Sequence, residues 1–86
     1  MSGAILETVQ RLLEIPSPSG REEKFSALVC DMIEESGFQW TKDGAGNVSV
    51  PVPSQQENSP LTIMAAHMDE IGIVVTRLCE DGTLRV

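Results

Sequence analysis

Apolar positions recur at helical spacing in the first third of the chain and then change to strict alternation. Ile5, Leu6, Val9, Leu12 and Leu13 fall on one face, which predicts a helix over residues 4–14. Pro16 and Pro18 stop it, and Ile15-Pro16-Ser17-Pro18-Ser19-Gly20 reads as a rigid connector. Ser19 and Glu22 have the spacing of a capping box, and Glu22 and Glu23 suit the positive end of a helix dipole. A second helix then follows, with Phe25, Leu28, Val29, Met32 and Ile33 on one face and Gly37 placed to end it.

From Phe38 the period is 2. Residues 38–42 alternate apolar and polar as a half-buried strand does, and Asp43-Gly44-Ala45-Gly46-Asn47 is turn chemistry. Val48, Val50 and Val52 repeat on one side of the next strand, which Pro51 makes an edge strand or ends. Residues 53–60 form a polar loop. Residues 61–66 are nearly continuously apolar, as in a central strand covered on both faces. Residues 71–78 are β-branched and apolar and read as another strand. Glu80-Asp81-Gly82 turns the chain into a last strand over 83–86. The expectation is an α/β chain with two N-terminal helices followed by a mixed sheet, truncated within a strand. A chain of 86 residues has room for one small domain at most.

Candidate chemistry sits at the end of the apolar run. The only histidine, His67, follows it directly, and Asp69, Glu70 and Gly72 come next. Ligand chemistry in open α/β sheets gathers at strand ends. Imidazole is the commonest metal ligand among side chains. In an extended segment His67 and Asp69 project to the same side, so the carboxylate stands beside the ring. Glu70, one residue on, points to the opposite face and reads as a strand-end carboxylate.

Composition narrows the classes. Formal charge is −7, and the six Lys+Arg are scattered, so no basic patch exists for nucleic acid or an anionic membrane. No apolar run approaches the roughly 18–20 residues that span a bilayer, and no signal peptide is visible. Cys30 and Cys79 lack metal-type spacing and read as free thiols of a reducing cytoplasm. Phe38, Trp40, Met32, Met64 and Met68 read as core. Gly44 and Gly46 fit a turn, not a phosphate cradle.

Three motifs, in order, resemble the opening of the glutamyl-aminopeptidase-type metallopeptidases, the family of the TET and deblocking aminopeptidases. They are Leu13-Glu14-Ile15-Pro16-Ser17-Pro18-Ser19-Gly20-Arg21-Glu22, Asp43-Gly44-Ala45-Gly46-Asn47-Val48, and Ala65-Ala66-His67-Met68-Asp69-Glu70-Ile71-Gly72. The third is the most specific. The resemblance covers essentially the whole chain but only about the first quarter of a family member. It implies the opening part of a co-catalytic zinc aminopeptidase (phosphorylase/hydrolase-like) fold. Residues 1–75 would belong to the catalytic domain, and 76–86 would begin an inserted β-rich oligomerisation domain. It also implies two divalent metal ions, zinc or cobalt, with His67 as a metal ligand and Asp69 as its catalytic partner. The other ligands and the general base would lie downstream, so the 86 residues alone are expected to be inactive. The implied substrate is a peptide N-terminus, and the implied assembly a cytoplasmic homo-oligomer. A non-catalytic interaction module, a gene remnant, and part of a related zinc dipeptidase or deacylase remain as alternatives.

Overall fold

The structure, a computed structural model, describes residues 2–86. Helix α1 covers Ser2–Leu13 and helix α2 covers Glu23–Glu35. Two short antiparallel hairpins follow. Strand β1 (Thr41–Lys42) pairs with β2 (Val48–Ser49), in the register Thr41↔Ser49 and Lys42↔Val48. Strand β3 (Arg77–Leu78) pairs with β4 (Leu84–Arg85), in the register Arg77↔Arg85 and Leu78↔Leu84.

The helix ends show what local sequence dictates. Gly37 adopts φ +87°, its N–H donates to the Glu34 carbonyl, and the Phe38 N–H donates to the Ile33 carbonyl. That is a Schellman motif, and it satisfies the last carbonyls of α2. The start of α2 departs from expectation. Residues 18–21 form a turn in which Arg21 N donates to Pro18 O, with Gly20 at φ +84°. The helix therefore opens late, Glu22 becomes its N-cap, and no side chain caps it. The Glu22 carboxylate accepts instead from the Gly20 N–H at 2.7 Å, so the Ser19–Glu22 capping box does not form.

The first hairpin is closed by Asp43, whose carboxylate accepts from the N–H groups of Ala45 and Asn47 and from the Asn47 side-chain amide, each at 2.9 Å. Those bonds hold its pKa below the usual aspartate value. The second hairpin turns in the same way. Asp81 accepts from Thr83 N at 3.0 Å and Thr83 Oγ1 at 2.6 Å, and its pKa is likewise lowered.

The mixed sheet is not formed among the described residues. Residues 61–66 are irregular rather than a central strand, and Met64 is 94% exposed instead of filling a core. An apolar strand is held by ladder neighbours on each side, and the described residues supply none for it. Strand β2 ends before Pro51 and β1 is shorter than the expected 38–42. Residues 71–76 form no strand, and among them only Thr76 bonds to the second hairpin, its N–H donating to Arg85 O. Phe38 is exposed, and Trp40 half-buried, its indole N–H donating to Glu34 Oε1 at 2.9 Å. Among the described residues the buried side chains are those of Ser17, Ser26 and Cys30. Cys30 and the half-buried Cys79 are both free thiols.

The molecule is open. The Cα radius of gyration is 17.7 Å, against about 12 Å for a compact domain of this length. Accessible surface is 7765 Å², against about 5,000 Å² for a folded chain of this mass. Ile5, Leu6, Leu61, Ile63, Ile71 and Ile73 all face solvent. No helix among the described residues is long and apolar enough to cross a membrane.

Candidate functional site

The segment that follows residue 66 gathers the candidate chemistry. His67 Nδ1 lies 2.8 Å from the Asp69 carbonyl oxygen and 3.1 Å from Asp69 Oδ1. Both partners are oxygen acceptors, so in the neutral ring Nδ1 carries the hydrogen and Nε2 the lone pair. The His67 side chain is 85% exposed and that of Asp69 43%. The ring thus projects from the surface with its lone-pair nitrogen, Nε2, available and its N–H nitrogen, Nδ1, tied to the chain. A carboxylate bonded to one imidazole nitrogen fixes the tautomer and raises the basicity of the other.

This segment is held from behind by the connector between the helices. Ser17 Oγ donates to the Met68 carbonyl at 2.9 Å, and Glu70 N–H donates to the Ser17 carbonyl at 2.8 Å. Pro18 and Glu70 form an isolated parallel bridge. An open cleft of about 410 Å³ lies over this junction, bordered by Pro18, Ser19, His67, Asp69, Glu70 and Gly72 among others. Glu70 thus borders the same cleft as His67 and Asp69, although its sequence position alone points it to the other face. A second, apolar groove, lined by Leu12, Val29, Met32, Phe38 and Val50, lies apart from these residues.

Ser17 was not legible as a site residue. Its bonds run to residues more than fifty positions away, and the only local signal is its place between two prolines, which keeps it extended. Among the described residues no three His, Cys, Asp or Glu side chains come together as a metal cage. His67 and Asp69 offer one ligand and its orienting carboxylate, which fits one corner of a metal centre and not a whole one.

Comparison with known proteins agrees with the resemblance. Residues 46–86 match the model of the M42 glutamyl aminopeptidase family. The glutamyl aminopeptidase of Lactococcus lactis is 38% identical over 82 residues, which cover 95% of this chain and 23% of that protein. The lysyl aminopeptidase of Pyrococcus furiosus is 33% identical over 81 residues, covering 93% of this chain and 22% of that protein. The chain therefore spans less than a quarter of the length of these relatives. No solved structure matches. The family match and the near-complete alignment of this chain identify it as an N-terminal segment of the M42 glutamyl-aminopeptidase type.

Proposed function

We propose that this chain contributes a metal ligand, His67, and its orienting carboxylate, Asp69, to an aminopeptidase that removes residues from peptide N-termini. The observation that carries the reading is the bond of His67 Nδ1 to Asp69, which leaves Nε2 as the coordinating atom. A pair of divalent ions, zinc or cobalt, would supply an activated water and a Lewis acid for the peptide carbonyl. The chain's own part is to present the imidazole in one tautomer and to hold the negative charge of Asp69 behind it. Further ligands and a general base come from elsewhere in such an enzyme, since this sequence has one histidine.

In this reading residues 1–75 belong to the catalytic domain and 76–86 open an inserted β-rich oligomerisation domain. The hairpin at 77–85 is compatible with that division. The complete enzyme would be a cytoplasmic homo-oligomer acting on peptides. The 86 residues alone hydrolyse no aminoacyl-nitroanilide and bind cobalt weakly through His67. Cobalt titration followed by NMR tests this: His67→Ala should abolish the site-specific shifts. Unchanged binding in His67→Ala, or turnover by the isolated chain, would overturn the reading.

A non-catalytic interaction module is favoured by one observation, the exposure of Leu61, Ile63 and Met64 in the irregular, unpaired stretch 61–66. Co-purification of the chain with a longer M42 subunit would support it, and a monodisperse monomer would count against it.

A further inference from the structure

Among the described residues Ser17 is the one fully enclosed side chain, at 1% exposure, and it is polar. Burying a hydroxyl is unfavourable unless it is hydrogen-bonded. Here its partner is specific: Oγ donates to the carbonyl of Met68. Its own carbonyl accepts from the N–H of Glu70. Met68 and Glu70 are the two neighbours of Asp69. In a parallel ladder one residue spans its partner in this way, its N–H bonding to one neighbour and its C=O to the other. Ser17 pairs with Asp69 on that pattern, except that the hydroxyl supplies the donor.

The connector is built to present that hydroxyl. Pro16 and Pro18 lock their own φ, and Pro18 also holds Ser17 in the extended region. Pro18 has no N–H, so the ladder does not continue through its nitrogen. Gly72 passes close by: a Cβ added to it would lie 3.5 Å from Pro18 Cβ, an ordinary van der Waals contact. The peptide groups on both sides of Asp69 are thereby fixed. Asp69 in turn holds His67 Nδ1 through its carbonyl and its carboxylate.

We propose that Ser17 is a positioning residue for the His67–Asp69 pair: by clamping both neighbours of Asp69 it sets the imidazole tautomer and the direction of Nε2. This rests on the reading of His67 as a metal ligand. The connector between two helices thus acts on a site fifty residues away without touching metal or substrate.

The test uses the full 86-residue protein labelled with ¹⁵N. In the unsubstituted chain, the Glu70 amide should exchange slowly with solvent. Exchange as fast as that of the 53–60 loop overturns the proposal without any variant. Ring-nitrogen spectra at pH 8 should show His67 as the Nδ1–H tautomer, and Ser17→Ala should give a mixture of tautomers while the α2 amide signals stay in place. Cobalt affinity at His67 should fall roughly fivefold in Ser17→Ala, the scale of one lost hydrogen bond. A Ser17→Ala protein that keeps both the tautomer and the affinity overturns the positioning role and leaves the reading of His67 standing. Cobalt binding that survives His67→Ala removes that reading instead.

Discussion

The Trp40 indole reaches back one element and donates to the carboxylate of Glu34 at 2.9 Å, tying the entrance of the first hairpin to the last turn of α2. Lys42 Nζ lies 5.8 Å from the centre of the same ring, so the indole is held between an acid and a base. As the only tryptophan it is a selective optical reporter of that junction. Glu34→Ala should red-shift its emission and cost under about 1 kcal/mol, as befits an exposed contact. An unchanged spectrum would mean the hairpin and α2 are not docked in solution.

Gly37 should resist replacement for backbone reasons alone. A Cβ there meets nothing within 4 Å, yet φ is +87°. Gly37→Ala is expected to cost about 1 kcal/mol by placing an L-residue in the left-handed region. Loss of helical circular dichroism at a lower denaturant midpoint would show it. Gly3→Ala, with open space and ordinary helical φ, should be neutral or slightly stabilising.

Acid should open both hairpin turns. The carboxyls of Asp43 and Asp81 are held below their ordinary value by bonds to Asn47 and Thr83 respectively. A lowered native pKa contributes stability that is fully present above the unfolded value, near about 3.9. That contribution is lost as pH falls through the lowered native value. Amide signals of Asn47 and Thr83 should therefore hold steady from neutral pH to about pH 5 and shift below about pH 4. Asp43→Asn and Asp81→Asn should abolish the transition at their own turn only.

The chain in isolation should be expanded and sticky. Small-angle scattering should give a radius of gyration near 17.7 Å, well above the compact value of about 12 Å. A dye that fluoresces on apolar surfaces should bind it at neutral pH. A compact particle that binds no dye would show that the apolar run at 61–66 finds cover within these 86 residues.

Much of the local structure was legible from sequence because short-range chemistry decides it. Gly37 ends α2, and Asp43 and Asn47 close a turn, for reasons contained within a few residues. The spacing of His67 and Asp69 likewise put their side chains together, and they lie 3.1 Å apart. The expected strand at 61–66 did not form, because apolar composition needs partners that the described residues do not provide. The Ser19–Glu22 box failed for a different reason: the Pro18–Arg21 turn delayed the helix beyond its reach. Ser17 was hidden because nothing near it in sequence names Met68 or Glu70 as its partners.

The two free cysteines divide the molecule into halves that a thiol reagent reads at different speeds. Cys30 is enclosed on α2, while Cys79 stands half-open at the turn of the second hairpin. An alkylating agent should modify Cys79 in seconds to minutes and Cys30 only as α2 opens. Each sulfur thus carries its own clock, and the ratio of the two rates measures whether the helical half and the hairpin half breathe together or apart.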